Sequence, residues 1–262
     1  MPPFLACEDT GNPTGALPLV LVHGHPFDRG MWAPQLAAFS AGRRVIAPDL
    51  RGYGASPVPD GTDAVTPLSV FADDIAALLD DLGVERCVLG GLSMGGQIVM
   101  ECCARFPDRI AGLVLADTSP TAETAAGREA RNAMADRLLR EGMGGYADEV
   151  LYKMVAPYAD PEVAAHVHRM MTATDPRGAA AALRGRALRP DYRDLLTRLP
   201  VPALVVVGTD DEFTPVPDAE AMHAALPSST LEVIEGAAHL PNLERPKAFN
   251  AALERFLATL DA

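Results

Sequence analysis

The stretch Gly90-Gly91-Leu92-Ser93-Met94-Gly95-Gly96 constrains this chain more than any other. Residues 86–89 before it are short and apolar, as a buried strand is, and residues 97–104 after it read as a helix with an apolar face. The segment is therefore strand, sharp turn and helix, with Ser93 at the apex. Gly91 and Gly95 fit G-x-S-x-G, a turn too tight for a Cβ two residues either side of the serine. Such a turn lifts the hydroxyl above the sheet edge and points the Met94 amide into the same space, at a helix N-terminus. A serine nucleophile and half of an oxyanion hole follow from that one local geometry. The plain alternative is a glycine-rich turn with a buried capping serine.

Around this segment, apolar runs alternate with helical periodicity. Strands are expected at residues 4–7, 17–22, 44–48, 110–116, 202–207 and 230–234, which with 86–89 makes seven. Helices are expected at 31–39, at 68–82 (stopped by Gly83) and at 246–260, and Asn12-Pro13-Thr14-Gly15 reads as a turn. Continuous apolar runs suit strands covered on both faces, and the alternation gives a parallel sheet with right-handed crossovers. Ligands bind beyond the carboxyl ends of such strands. Every unusual loop of the chain falls at one of those ends.

Residues 121 to about 199 break the pattern. They hold no convincing strand, are rich in Ala, Arg and Met, and show helical runs near 122–141, 145–155, 161–172 and 178–186. Twelve basic and eleven acidic residues give this stretch a net +1, leaving −14 on the rest. We expect a core domain of residues 1–119 and 200–262 with a helical lid, 120–199, inserted over the strand ends. Met134, Met143, Met154, Met170 and Met171 either line an adaptable pocket or pack the lid helices together, the second being the plainer expectation.

With 262 residues, 48% of them hydrophobic, the chain has ample material for a core. A net charge of −13 speaks against nucleic acid or an anionic membrane as a partner. The N-terminal residues show no basic region followed by an apolar run, and no stretch is apolar enough to span a bilayer. Cys7, Cys87, Cys102 and Cys103 form no C-x-x-C pair, which suits a reduced, cytoplasmic setting. His23-Gly24-His25 lacks a third ligand nearby, and His166 and His168 lie two apart on a helix, so no metal is expected.

Ser93 needs a base. His239, on the loop between the last strand and the last helix, is the candidate; His223 sits on an ordinary helix. The base in turn needs an acid to fix its tautomer. Asp117, Asp210 and Asp211 all end strands and all satisfy the order nucleophile, acid, histidine, so spacing leaves the three open. The second oxyanion donor is expected in the loop after residues 17–22, where Gly24 permits a close approach and the amide of His25 is the candidate. The side chains of His23 and His25 are expected to brace that loop.

Taken together these loops resemble those of the α/β-hydrolase superfamily, and the match runs nearly end to end. His23-Gly24-His25-Pro26 resembles its oxyanion loop, Asp49-Leu50-Arg51-Gly52-Tyr53-Gly54-Ala55-Ser56 its D-x-R-G-x-G-x-S segment, and Gly90 to Gly96 its nucleophile elbow. Gly208-Thr209-Asp210-Asp211-Glu212-Phe213-Thr214-Pro215 is similar to the acid loop, which implies Asp211 as the acid. The residues from Gly236 through His239 to Pro246 are similar to the histidine loop. Within the superfamily, the chain is most similar to the 3-oxoadipate enol-lactonase and carboxylesterase group, through residues 91–96, 239–244 and 176–184. Its His-Gly pair at 23–24 is more like ordinary carboxylesterases.

The resemblance implies an α/β-hydrolase fold: a mostly parallel sheet of about seven strands, flanked by helices and carrying an inserted helical lid. It also implies a serine hydrolase acting on a small carboxylic ester or lactone through an acyl-enzyme. Ser93, Asp211 and His239 would be catalytic, with the amides of His25 and Met94 as the oxyanion hole. No metal or organic cofactor is called for. The partner expected is a small ester or lactone, with a homodimer as the one macromolecular association allowed for. Perhydrolase or haloperoxidase-like chemistry, carbon–carbon bond hydrolysis, and a slow-turnover small-ligand receptor are the alternatives. An enol-lactone would require a cationic partner for its carboxylate, for which Arg128, Arg131, Arg184, Arg186 and Arg189 are candidates.

Overall fold

The computed structural model describes residues 5–11 and 14–260. Seven strands form one sheet in the order β1-β3-β2-β4-β5-β6-β7: β1 Cys7–Asp9, β2 Leu19–Val22, β3 Val45–Pro48, β4 Cys87–Leu92, β5 Ile110–Ala116, β6 Ala203–Gly208 and β7 Ser229–Ile234. Only β1 runs antiparallel, against β3. Side chains alternate across the sheet with a period of two. In β2, Val20 and Val22 face a core shared with α2 (Leu68–Asp81) and α3 (Met94–Arg105), whereas Leu19 and Leu21 face α1 (Ala33–Phe39) and the C-terminal α11 (Pro246–Leu260). Both faces being covered explains why the central strands read as unbroken apolar runs.

Two local expectations are corrected. The first strand is Cys7–Asp9 and not 4–7; Phe4 lies outside the described residues, as do Asn12 and Pro13 of the expected turn. The backbone at Ala6 bonds a loop instead, its N–H donating to Ser56 Oγ and its carbonyl accepting from the Asp49 amide, so ladder pairing starts one residue later. The helix expected at 31–39 is a 3-10 turn, Arg29–Trp32, followed by α1. Pro34 has no N–H to donate and therefore belongs in a first turn, which restarts the helix at Ala33.

Between β5 and β6 the chain forms α4 (Ala125–Glu141), α5 (Gly144–Met154), α6 (Pro161–Ala173), α7 (Pro176–Arg186) and the short α8 (Arg193–Leu196). Helices α4 and α7 share a small core of Ala135, Leu138, Ala179, Ala180 and Leu183. Helices α5 and α6 extend the main core through Met154, Val167 and Met171. Helix α7 also meets the loop after β3 backbone to backbone: a Cβ on Gly178 would lie 1.9 Å from the carbonyl oxygen of Gly52. After β6 come α9 (Val216–Ala225), β7 and α10 (Pro241–Glu244), the last directly following His239.

Candidate active site

Ser93 sits between the end of β4 and the start of α3 with φ 57° and ψ −116°, a conformation that costs a non-glycine residue about 1–3 kcal/mol. Its neighbours hold it there. The Ser93 amide donates to the Ala116 carbonyl (2.9 Å), and its own carbonyl accepts from Thr118 Oγ1 (2.7 Å) and from the Gln97 amide (3.2 Å). The turn is as crowded as its sequence implies: a Cβ on Gly91 would lie 2.3 Å from the Gly95 carbonyl, and one on Gly95 2.2 Å from the Val22 carbonyl. Ser93 and His239 line the same cavity of about 360 Å³.

His239 is buried, and its Nδ1 lies 2.8 Å from Asp211 Oδ2. An ionised carboxylate only accepts, so Nδ1 is the donor of this pair and carries a ring proton. Asp211 also accepts from the Phe213 amide (2.8 Å) and from Thr214 Oγ1 (2.5 Å). Burial pushes its carboxyl upward, but the charge and hydrogen bond of His239, with those two further donors, hold it below the ordinary carboxylate value.

The other two acids are separated from this role by their surroundings. Asp210 is exposed, and its carboxylate is engaged by Tyr158 and Thr209. Asp117, buried and at φ 44°, accepts from the Gly208 amide through Oδ1 (3.0 Å), while Oδ2 has no partner among the described residues. Burial and the adjacent Asp211 charge raise its carboxyl well above the ordinary range. Donor atoms of Asp117, Asp211 and His239 lie within 4.8 Å of one another, a spacing that a metal site could share. Here Asp211 Oδ2 and His239 Nδ1 are committed to each other.

In the loop after β2, His23 is fully buried and its ring is fixed at both ends: Nδ1 donates to the Gly24 carbonyl (2.8 Å), and Nε2 accepts from the Leu50 amide (2.9 Å). His25 Nδ1 pairs with Tyr53 Oη at 2.8 Å. Burial drives both rings toward neutrality, aided at His25 by the charges of Arg186 and Arg131. Both side chains thus brace the loop, as expected. The Met94 amide opens α3, where no intrahelical acceptor exists, and the His25 amide has no partner among the described residues. Glu244 ties the histidine loop to the inserted helices by accepting from the Ala238 (2.9 Å) and Ala156 (2.8 Å) amides.

Residues 19–252 match the model of the alpha/beta hydrolase family. The chain belongs to that family. Among its relatives, 3-oxoadipate enol-lactonase 2 of Acinetobacter baylyi is 32% identical over 227 residues, 86% of this chain and 82% of that protein. A thermophilic esterase from Thermogutta terrifontis, in a malate-bound structure, superposes with a TM-score of 0.94 at 40% identity, covering 98% of this chain and 94% of its own. The enol-lactonase from Burkholderia xenovorans LB400 gives 0.87 at 30% identity, covering 97% and 96%. The chain is therefore an alpha/beta hydrolase with ester- and lactone-cleaving relatives. No helix among the described residues is long and apolar enough to cross a membrane.

Of the five methionines in the inserted helices, only Met154 is on the cavity wall; Met143, Met170 and Met171 pack in the cores. Thr118, Tyr53 and Glu244 position the site without having been singled out by the sequence. Thr118 and Tyr53 carry no spacing signal of their own, while Glu244 falls within the 239–244 segment that resembles the family's histidine loop.

Proposed function

We propose that the chain is a serine hydrolase cleaving a small carboxylic ester or lactone through an acyl-enzyme, with the inserted helices as its lid and the cytoplasm as its setting. The observation that carries this reading is one cavity holding both the strained Ser93 and the Asp211-paired His239. His239 Nε2 takes the proton of Ser93 Oγ as that oxygen attacks the carbonyl carbon. The amides of His25 and Met94 receive the developing oxyanion, and Asp211 stabilises the imidazolium. His239 then protonates the leaving alcohol, activates water against the acyl-enzyme, and returns the proton to Ser93 as the acid leaves. The enol-lactonase and esterase relatives support the substrate class.

The test is turnover of p-nitrophenyl esters of increasing acyl length, beside an enol-lactone, by the wild type and by Ser93→Ala. The expected result is hydrolysis that falls by about 10⁴-fold or more in the variant. Equal rates from the two proteins, or no turnover of any substrate by folded wild type, would overturn the reading.

A further inference from the structure

Residues Gly24 to Phe27 form a turn closed by the Phe27 amide, which donates to the Gly24 carbonyl at 3.1 Å. The turn lies directly against the nucleophile: a Cβ on Gly24 would fall 3.3 Å from that of Ser93. It carries the His25 amide, one of the two donors assigned to the oxyanion. Such a donor works only when held within about 0.5 Å of its place. Two side chains grip the turn from outside. Tyr53 Oη pairs with the His25 ring at 2.8 Å. The other grip comes from the inserted helices, where Thr174 Oγ1 donates to the Pro26 carbonyl at 2.9 Å.

Thr174 is 6% exposed and stands at the joint where α6 ends and α7 begins. Both helices fix its place. Its hydroxyl also lies 3.0 Å from the Met170 carbonyl one turn back in α6, and the next residue, Asp175, caps α7 by accepting from the Arg177 amide (2.8 Å). The single hydroxyl proton thus spans two carbonyls. Pro26 is buried, and its carbonyl has no other donor among the described residues. A buried carbonyl left unpaired is unfavourable, so without this hydroxyl the turn is driven toward another donor and carries the His25 amide with it. Among the described residues this is the one hydrogen bond from the inserted helices to residues 23–27. The contact of His166 Nε2 with the Gly30 carbonyl (3.2 Å) falls on the 3-10 turn that follows.

We propose that Thr174 is a positioning residue for the oxyanion hole, so that the inserted helices complete the catalytic geometry as well as covering it. Thr174 touches no reacting atom, and its role presupposes the serine-hydrolase reading above.

The probe is 1,1,1-trifluoropentan-2-one, measured as an inhibitor of p-nitrophenyl butyrate hydrolysis. Ser93 Oγ adds to its carbonyl carbon, the serine proton passes to His239 Nε2, and the carbonyl oxygen becomes an oxyanion facing the His25 and Met94 amides. Thr174→Val keeps the side chain's shape and loses the hydroxyl. It should raise the Ki of the ketone about 10-fold or more and lower kcat/KM for the ester by a similar factor. Binding of p-nitrophenyl butyrate to Ser93→Ala, by calorimetric titration, should change less than about 2-fold when Thr174→Val is added, because no oxyanion forms there. Thr174→Ser, which restores the hydroxyl, should bring Ki back to within about 3-fold of wild type. An unchanged Ki in Thr174→Val, or ester binding weakened as much as ketone binding, would mark Thr174 as packing only and overturn the proposal. Should Thr174→Val fail to fold, Thr174→Cys decides, since a thiol is a weak donor. A Ki raised in step with the fall in kcat/KM then sustains the proposal, and a Ki equal to wild type overturns it. Wild type that neither binds the ketone nor hydrolyses the ester overturns the serine-hydrolase reading and this role with it. Wild type active on both and matched by Thr174→Val overturns this role alone.

Discussion

Asp211 and Asp117 are two buried carboxyl groups side by side, the first held below the ordinary carboxylate value by what it accepts, the second raised by burial and by the charge of the first. Asp211 receives a histidine N–H, a hydroxyl and an amide; Asp117 receives one amide. Asp211→Asn should therefore lower kcat by about 10⁴-fold by admitting the wrong imidazole tautomer. Asp117→Asn, which keeps the side chain's shape and its acceptor for the Gly208 amide, should stay within about 3-fold of wild type, a change worth under about 1 kcal/mol. A kcat comparison of the two variants checks both, and the reverse order would move the acid to Asp117. Stability gives a second readout. The folded state holds the Asp117 proton above the ordinary value of 3.8, so its burden is absent below that pH and grows as pH rises above it. The Tm gained by Asp117→Asn over wild type should accordingly be larger at pH 8 than at pH 4.

At the scale of elements, the elbow joins three pieces that have no slack. Strand β4 carries Ser93 to the sheet edge, α3 leaves it at once, and Gly95 lies against the carbonyl that ends β2. Gly95→Ala would force the helix away from β2, and urea denaturation should register a loss of about 3 kcal/mol or more. These constraints are local in the chain, which is why the elbow was legible from seven consecutive residues. The helices of the insertion were legible too, since 178–186 was expected and Pro176–Arg186 is found. That Arg186 lines the cavity was not. Its helix is largely alanine and glycine, with little apolar contrast to mark an inner face, and an arginine at a helix end reads as a solvated one. The choice among Asp117, Asp210 and Asp211 was likewise closed to spacing alone, because it depends on which strand end the imidazole meets in space.

Across the whole molecule, two buried imidazoles make the fold sensitive to acid. His23 and His25 are held neutral when folded but have an ordinary value of 6.5 when unfolded. The unfolded chain therefore binds more protons below pH 6.5, and folding stability should decline as pH falls from 7 toward 5. Each histidine contributes a slope of up to about 1.4 kcal/mol per pH unit. Chemical denaturation across that range checks the sign, and His23→Gln should flatten the decline; a profile unchanged by the substitution would assign it elsewhere. Strand number, parallel pairing and the loops at the strand ends were accessible from the alternation of apolar runs, because parallel strands are buried on both faces; the order of the strands in the sheet was not, because it depends on which crossover goes to which side. The first strand was misplaced by a few residues because it is an edge strand of three, too short and too polar for that signal.

The meeting of Gly52 with Gly178 has a bearing on how far the inserted helices can be treated as an interchangeable module. The atoms in contact there are main-chain atoms, which no side-chain repacking can withdraw. A second such contact lies two turns on, where a Cβ on Gly185 would fall 1.7 Å from the carbonyl oxygen of Thr66. A helical segment grafted from a related hydrolase onto this core would seat only if it brings a glycine to each of these two places, so compatibility between donor and host at this seam is decided by two positions seven residues apart.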